Sequence, residues 1–459
     1  DSHYQPVAGI YSTYMIPYSE DKYWRLEMLS NAIKSVYASV YYKGSKDYMT
    51  ATSNVIDQEK MAVILQEVVG QQFGPRFYPN VSGVARSVNY YPIGDEKAEE
   101  GTVSLAMGLG TYIVDGGTAL RVCPYHPNQV LQMSEMDIAL RDTQTNFIAL
   151  ETNIPTDSSG NRQKTQFQVD DGFNLVKVSV RDAEHDGSLQ WICSTYDPMD
   201  QCIYDGFYEG RNRKLISFAG ILQNGVWPMP ELLRLVLKLG QEEMQRPVEI
   251  EFACNIHPDK SGEFYLLQIR PMVDNRMNLD EDLTNITDEQ CLLRSHNAIG
   301  HGNITDITDI VYIKTGKKSK YTPGKNPQIA DEVERINRSL LQEERKCLLI
   351  GPGRWGSSDS WLGIPVKWPH ISSAQVIVEA GLENFQVDPS QGTHFFQNLT
   401  SFGVGYLTID GGHSSERFDR AALDTLPAVW ESPLVRHVRS STPFVIKMDG
   451  LHGIGIVEK

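Results

Sequence analysis

The chain has 459 residues, of which 41% are hydrophobic and 22% are charged, and this composition excludes the collagen-like, disordered and membrane-spanning classes of protein. Its 58 acidic and 42 basic residues give a net charge of -16, which opposes binding to nucleic acid or to an anionic membrane. The six cysteines include no C-x-x-C pair, so the sequence indicates neither a zinc site nor a disulfide framework and favours a cytoplasmic location.

The first hundred residues carry one helical pattern followed by several strand patterns. Apolar residues recur every three or four positions from Asp21 to about Tyr48, which predicts an amphipathic helix. The short apolar run Met61–Val69 predicts a buried strand that ends at Gly70. Val81–Ala85 and Thr102–Ala106 are predicted to be its neighbours in a sheet.

The middle of the chain is predicted to contain a surface insertion followed by regular structure. The polar, turn-rich stretch Gln132–Gln166 predicts an insertion at the surface that carries no chemistry. Leu175–Val180 predicts a strand, and Pro230–Met244 predicts a helix that has proline near its start.

Two strand patterns around a polar turn predict a β-hairpin. Val248–Ala253 and Phe264–Ile269 form the strands and Pro258–Gly262 the turn. After Pro271 the sequence becomes polar, and we place a domain boundary near residue 275.

Residues 276–459 predict a second, smaller α/β domain. A helical pattern covers Ile329 to about Lys346. The strand-like apolar runs of this domain are residues 310–313, 347–350, 375–378 and 444–446. The whole chain is therefore assigned to the α/β (α+β) class, with a first domain over residues 1–275.

The predicted hairpin is the most informative place for chemistry. Side chains alternate between the two faces of a strand, so Glu249 and Glu251 share one face, and Leu266, Gln268 and Arg270 share a face of the returning strand. If the two faces coincide, oxygen ligands suited to Mg²⁺ meet a guanidinium suited to phosphate. The alternative is a solvated face on which Arg270 pairs with one of the glutamates.

A glycine-rich turn after the strand at Thr102–Ala106 is a second candidate. The sequence around Gly108 and Gly110 would let backbone amides approach a phosphate, and Arg121 follows shortly afterwards. No G-K-[ST] follows, so the motif is not a P-loop. A pair of tight turns explains the same residues.

Two further motifs lie in the second predicted domain. The loop Gly351–Asp359 either holds a phosphorylated or carboxylated ligand or forms a structural corner around Trp355. His394, in the segment Pro389–Phe396, is either a phosphate-carrying histidine or a partly buried histidine that bonds to the backbone.

Six segments in a particular order give the sequence a family resemblance. They are Ala8–Tyr14, Lys60–Val69, Ser82–Val84, Gly108–Gly110, Glu249–Ala253 and Leu266–Pro271. Their order and spacing resemble the nucleotide-binding domain of phosphoenolpyruvate synthase and pyruvate, phosphate dikinase. The likeness covers roughly the first 270 residues.

The resemblance implies an ATP-grasp fold that binds ATP and Mg²⁺ and transfers the β-phosphoryl group to a histidine. It implies that Glu251 and Gln268 hold the metal and that Arg270 contacts a phosphate. It implies that the segment from Gln66 through Glu67 to Val69 lines the adenine pocket and that Gly108 and Gly110 lie near the phosphates. We add Arg121, which follows the glycine turn, to this cofactor site. If the phosphoryl acceptor lies within this chain, we predict that it is His394, although this residue does not match the histidine motif of the family.

The likeness also implies partners: a nucleotide, a small phosphorylated or carboxylate substrate such as pyruvate or phosphoenolpyruvate, and other domains of a longer chain. The sequence departs from the family at Thr111, where the family has an acid, and at Arg86–Asn89, where it has Thr-Arg-Asn-Pro. The resemblance implies that the family's phosphate-contacting segment belongs upstream of Asp1, so we expect the first domain to be incomplete at its N-terminus. The departures at Thr111 and at Arg86–Asn89 leave open a catalytically inactive nucleotide-binding regulatory or scaffold module. A further alternative is an ATP-grasp ligase that activates a carboxylate as an acyl phosphate.

Overall fold

The structure of the protein is a computed structural model. It describes residues 9–51, 60–89, 92–152, 167–210, 212–272, 283, 286–287, 290–315, 319–357, 359, 361–381, 395–396, 399, 403–409, 416–450 and 453–458.

The described residues fold into two compact units. The first lies within Gly9–Met272, and the second consists mainly of residues from Val273–Lys459. Both contain helices and sheets, which confirms the predicted mixed α/β class.

The first unit contains six α-helices among its described residues. They are α1 (Lys22–Ser39), α2 (Lys43–Ala51), α3 (Thr111–Val114), α4 (Met136–Asp142), α5 (Ala219–Leu222) and α6 (Met229–Met244). The predicted helix Pro230–Met244 is confirmed as α6.

The single helix predicted from Asp21 to Tyr48 is wrong, because the chain forms α1 and α2 with a break between them. The Asp21 carboxylate caps the start of α1 by accepting from the backbone N–H groups of Tyr23 and Trp24. At the break, the Ser45 hydroxyl donates to the Ser39 carbonyl at 2.6 Å, which satisfies a carbonyl at the end of α1. A serine hydroxyl thus satisfies a backbone group that helix continuation would otherwise use.

The first unit has twelve strands among its described residues. They are β1 (Gln71–Phe73), β2 (Arg76–Tyr78), β3 (Val81–Arg86), β4 (Thr102–Ala106), β5 (Leu120–Val122), β6 (Asn146–Glu151), β7 (Leu175–Ser179), β8 (Cys193–Asp197), β9 (Cys202–Asp205), β10 (Arg213–Ile216), β11 (Val248–Ile256) and β12 (Gly262–Pro271). They form sheets of order β1-β2-β6-β7, β10-β8-β9 and β12-β11-β3-β4-β5. The predicted strands at β3, β4, β7, β11 and β12 are confirmed.

The buried strand predicted over Met61–Val69 is wrong. The segment has no strand assignment, and Ile64 and Leu65 are 87% and 63% exposed. A short apolar run is also compatible with an extended surface segment, because periodicity alone does not distinguish the two. The prediction that β3 and β4 flank this segment in a sheet is therefore wrong as well, and the two strands pair with each other instead.

The surface insertion predicted over Gln132–Gln166 is wrong in its described part. This stretch supplies α4 and β6, and Phe147 and Ala149 on β6 are fully buried in the main core of the unit. β6 pairs with both β2 and β7, so it is an inner strand of its sheet. Residues 153–166 lie outside the described residues.

Strand β11 of the five-stranded sheet has one apolar face and one polar face. Ile250 and Phe252 on β11 point into the main core, where α6 packs against the sheet through Leu233 and Leu237. A Cβ atom on Gly240 of α6 would lie 2.8 Å from Ile269, so the helix and β12 are in close contact. The opposite face of β11 carries Glu249 and Glu251, and we call it the polar face.

The second unit consists mostly of a ten-stranded sheet. Its strands are β13 (Cys291–Ser295), β14 (Asn297–Ile299), β15 (His301–Ile313), β16 (Cys347–Pro352), β19 (Ala374–Ala380), β20 (Gly405–Ile409), β21 (Arg417–Phe418), β22 (Ala428–Glu431), β23 (Val435–Asp449) and β24 (Ile454–Glu458). β17 (Arg354–Trp355) and β18 (Gly363–Ile364) form a separate two-stranded sheet. Two α-helices lie wholly within the described residues of this unit, namely α7 (Asn326–Gln342) and α8 (Arg420–Thr425).

The order of the large sheet is β14-β20-β19-β16-β15-β23-β24-β13-β21, with β22 beside β23. β15, β16, β19 and β20 are mutually parallel, and α7 connects the first two of them. The predicted helix and all four predicted apolar runs therefore lie in regular elements. Within the described part of the chain, every helix is too short or too polar to cross a lipid bilayer.

Candidate functional site

The hairpin of β11 and β12 places the predicted metal and phosphate ligands on the polar face. The two strands are antiparallel, with Glu249 opposite Arg270 and Glu251 opposite Gln268. Residues directly opposite each other on neighbouring strands project to the same face. The predicted meeting of carboxylates, amide and guanidinium on one face is therefore present.

One part of the predicted face is wrong. The register shifts between Glu251 and Phe252, so Leu266 lies opposite Phe252 instead of continuing the row of Gln268 and Arg270. A bulge of this kind places an extra residue on one strand and interrupts the alternation of side chains. Leu266 consequently belongs to the other side of the strand.

An ion cluster occupies one row of the polar face. The Arg270 guanidinium donates from Nε to Glu249 Oε1 at 3.0 Å and from Nη2 to Glu251 Oε1 at 3.0 Å. From the other side, Arg86 Nε on β3 donates to Glu249 Oε2 at 2.6 Å. The side chains of Arg86 and Glu249 are each only 3% exposed.

The charges of this cluster determine the ionisation of Glu249. Burial alone would raise the pKa of this carboxyl, but the adjacent Arg86 and Arg270 guanidinium groups outweigh burial and hold it below its usual range. Glu249 is therefore a carboxylate that fixes the position of Arg270.

The pKa of Glu251 is shifted in the opposite direction. Burial raises the pKa of Glu251, Arg270 acts against that rise, and the negative charge of Glu249 adds to it. These surroundings disfavour the charged form of Glu251, and a cation bound beside it would stabilise that form. Its side chain is 25% exposed, so a cation can reach it from solvent.

The residues fit a magnesium ion by the chemistry of their donors. Gln268, opposite Glu251, is exposed at the surface of the polar face. A carboxylate and an amide oxygen are the hard ligands that Mg²⁺ accepts, and Mg²⁺ usually completes its shell with water and phosphate oxygens. The role of Glu251 and Gln268 as metal ligands stays a prediction.

The predicted adenine-contacting segment meets the same hairpin. Gln66 donates from Nε2 to the Leu267 carbonyl at 3.4 Å. Glu67 is exposed and Val69 is half-buried. The structure thus brings Gln66 to β12, and the part that these three residues play in binding a nucleotide stays a prediction.

The glycine turn lies at the far end of β4. Gly108 has a φ of +88°, and a Cβ atom there would lie 2.6 Å from the Ile148 carbonyl oxygen. The backbone N–H groups of Gly108 and Leu109 donate to the carbonyls of Pro79 and Ile148. Those two amides are therefore used within the protein, as a tight turn requires.

Gly110 is less constrained than Gly108, because a Cβ atom there would meet nothing nearer than the Ser82 Cβ atom at 3.6 Å. The Ser82 hydroxyl donates to the Gly108 carbonyl at 2.6 Å, which ties the turn to β3. Whether Gly108 and Gly110 contact a phosphate stays a prediction.

Arg121 shares the polar face with Glu251. The register runs from Glu251 through Val84 and Ser104 to Arg121, so three strand spacings, about 14 Å, separate them. The Arg121 guanidinium bonds to Glu96 at 2.7 Å. It faces the predicted site but is not adjacent to the hairpin, and its role in cofactor binding stays a prediction.

The two motifs predicted in the second unit are the His394 segment and the loop around Trp355. His394 lies outside the described residues. Trp355 is fully buried, and its indole N–H donates to the Val378 carbonyl at 3.3 Å. A Cβ atom on Gly351 would lie 2.4 Å from the Trp355 ring, so this loop does form a structural corner.

A separate cavity of about 550 Å³ lies in the first unit beside Trp191, Phe207 and Asp205. None of the predicted site residues lines it. We place the candidate site on the hairpin because ion pairs, oxygen ligands and an unfavourably charged carboxylate converge there.

Arg86 is a site residue that sequence reasoning missed. It lies 163 positions before Glu249, and only the pairing of β3 with β11 brings them together. The sequence shows only that Arg86 stands at the end of a predicted strand. It does not show which other strand lies beside that one.

Comparison with known proteins assigns the chain to a family. The family model described as pyruvate phosphate dikinase, AMP/ATP-binding domain, matches residues 1–290. No curated protein matches the chain. The matched range contains the hairpin, the glycine turn and the segment around Gln66, and it confirms the ATP-grasp-like nucleotide-binding assignment of the first unit. The chain belongs to the pyruvate phosphate dikinase AMP/ATP-binding family.

Proposed function

We propose that this chain binds ATP and Mg²⁺ as part of a phosphotransferase of the phosphoenolpyruvate synthase and pyruvate, phosphate dikinase type. The single observation that carries the proposal is the register that sets Glu251 opposite Gln268 with Arg270 next to them on the polar face. The family match supports binding of the nucleotide. A cytoplasmic location and a small carboxylate or phosphorylated substrate, such as pyruvate or phosphoenolpyruvate, belong to the same proposal.

Each residue has a defined part in this proposal. Glu251 and Gln268 would hold the metal, which when bound supplies positive charge to the phosphates. Arg270 would turn its guanidinium toward the transferred phosphoryl group, whose charge is spread over its oxygens. Glu249, held by Arg86, keeps Arg270 in position, so catalysis rests on positioning and charge neutralisation.

The products distinguish dikinase chemistry from ligation. In dikinase chemistry the β-phosphoryl group passes to the acceptor and the γ-phosphoryl group passes to water or to orthophosphate, so AMP accumulates. An ATP-grasp ligase releases ADP. His394 remains our candidate for the acceptor within this chain.

The first experiment is calorimetric titration of Mg·ATP into this chain. We expect Glu251→Ala and Gln268→Ala each to weaken binding about tenfold or more, because each removes an oxygen ligand. Glu263→Ala is the matched control, since this exposed glutamate lies on the same hairpin and pairs with His257 instead of the cluster. Equal affinity in all four proteins would contradict the metal assignment.

A second candidate function is a nucleotide-binding module without catalysis. One observation favours it: the Thr111 hydroxyl, where the family has an acid, donates to Asp115 at 3.1 Å. Under this alternative the protein binds Mg·ATP but shows no exchange of isotope between ATP, AMP and phosphate. Exchange that Arg270→Lys abolishes would exclude the alternative.

A further inference from the structure

A second cluster of ligand-type side chains lies at one end of the five-stranded sheet. Glu100 ends the turn that precedes β4, and Cys123 directly follows β5. Because β4 pairs with β5 at Val103 and Val122, the residues before β4 and after β5 meet at the same end of the sheet. His126 follows three residues after Cys123, on a turn closed by its backbone N–H and the Cys123 carbonyl at 3.0 Å.

The ligand atoms of these residues are close enough to share one ion. Glu100 Oε2 lies 2.9 Å from His126 Nε2 and 3.9 Å from Cys123 Sγ. All three atoms lie within 4.8 Å of one another. Tetrahedral zinc, with bonds of about 2.0 to 2.3 Å, needs its ligand atoms about 3.5 Å apart, so only a small adjustment of side chains is required.

The surroundings suit a bound cation. The Lys97 N–H donates to Glu100 Oε2 at 2.9 Å. A donor of this kind holds a ligand side chain in place. Cys123 is fully buried, whereas the His126 and Glu100 side chains are 24% and 16% exposed, which leaves a path for an ion from solvent.

From this geometry we propose that Glu100, Cys123 and His126 form a zinc-binding site with a fourth position open to water. A thiolate and an imidazole select borderline-soft cations such as Zn²⁺ and disfavour Mg²⁺. The set therefore differs in ligand class from the oxygen ligands Glu251 and Gln268. It is also independent of the function proposed above.

The competing explanation is an ordinary histidine–glutamate ion pair with a cysteine beside it. The protein supplies a matched example of such a pair: His257 Nε2 lies 3.0 Å from Glu263 Oε1, in a pair that belongs to no three-ligand cluster among the described residues. This pair provides the control, because a variant at His257 removes an equivalent ion pair outside the proposed site.

Titration with Co²⁺ alone, under reducing conditions, tests the proposal. A thiolate ligand gives Co²⁺ a sulfur-to-metal charge-transfer band, and a tetrahedral site gives strong visible absorption. We expect saturable binding of one ion, with both bands removed by added Zn²⁺. Cys123→Ser should abolish the charge-transfer band, and Glu100→Gln and His126→Gln should each weaken binding at least tenfold.

The controls separate loss of a ligand from loss of the fold. His257→Gln and Cys202→Ser, which changes an exposed cysteine outside the proposed site, should bind Co²⁺ like the parent protein. Circular dichroism verifies that each variant is folded. If Cys123→Ser does not fold, Glu100→Gln still tests the site, because the Glu100 side chain is partly exposed. Absence of saturable binding, or binding that Cys123→Ser and Glu100→Gln leave unchanged, would overturn the proposal.

Discussion

Each of the two units contains a buried carboxylate that bonds to two basic side chains. In the first unit Glu249 bonds to Arg86 and Arg270. In the second unit Asp309, fully buried on β15, bonds to His437 Nε2 and Arg439 Nε, each at 2.7 Å. Both carboxylates lie on inner strands of a sheet, so sequence position and burial alone do not distinguish them.

The clusters differ in what lies next to the buried acid. Asp309 also accepts from the Thr308 hydroxyl at 2.7 Å and from Arg345 at 3.2 Å. Burial would raise the pKa of Asp309, but the hydrogen bonds from His437, Arg439 and Thr308 outweigh it and lower that pKa. Every acid of this cluster thus has its positive partners.

The cluster of the first unit instead includes a second acid in an unfavourable state. Glu251 shares Arg270 with Glu249, and its pKa is raised. The difference between the clusters is that an added cation would stabilise the charged form of Glu251, whereas Asp309 already has its basic partners. The four predictions that follow test this difference.

The largest expected effect is that of Glu249→Gln. The substitution leaves the buried Arg86 without its negative partner, so we expect a loss of about 3 to 5 kcal/mol in the unfolding free energy of the first unit. Urea denaturation, followed by hydrogen exchange in β3 and β11, measures it. A loss below about 1 kcal/mol would show that the cluster is not a structural element.

The next effect is that of Asp309→Asn in the second unit. We expect a loss of about 2 kcal/mol in unfolding free energy, because Arg345 and Arg439 are 39% and 27% exposed and can be hydrated when their partner is lost. Hydrogen exchange in β15 and β23 reports it. Mg·ATP affinity should not change; a tenfold decrease would contradict the division between a structural and a binding cluster.

Acid should weaken the second unit through Asp309. Its folded pKa is below the unfolded value near 4, so the stabilisation is complete above that value and is lost as the pH falls below it. We expect a decrease on the order of 1 to 2 kcal/mol between pH 5 and pH 2. Asp309→Asn should flatten this part of the curve, and an unchanged slope would argue against the assignment.

The smallest effect on stability is expected for Glu251→Gln. A raised folded pKa means that the fold favours the protonated form, so this contribution to stability is present at low pH and is lost as the pH rises through the folded pKa. The neutral amide should therefore change stability by less than about 1 kcal/mol, toward gain, at pH 7 and have no effect at pH 3. A loss comparable to that of Glu249→Gln would make the two acids equivalent.

Local sequence patterns predicted the part of the candidate site that lies within the single hairpin of β11 and β12. The alternation of Glu249 and Glu251, and of Gln268 and Arg270, is a property of neighbouring residues, and the short turn determines how the strands pair. The bulge beside Leu266 could not be predicted, because it depends on how the two strands pack.

The remaining errors have long-range causes. Arg86 joins the site through the pairing of β3 with β11, and Glu100 reaches Cys123 through the pairing of β4 with β5. The buried strand β6 has a polar sequence context that resembles an insertion. Its burial depends on strands far away in sequence, so no local pattern indicates it.

The register shift in the hairpin has a consequence for association between molecules. β12 is the outermost strand of the five-stranded sheet, and exposed outer strands are templates for edge-to-edge aggregation. The bulge beside Leu266 interrupts the regular spacing of backbone donors and acceptors, and Gln66 already occupies the Leu267 carbonyl. An irregular and partly occupied edge is a poor template for strand pairing. The outer strand that carries Gln268 and Arg270 can therefore be exposed without promoting edge-to-edge association with a second copy of the protein.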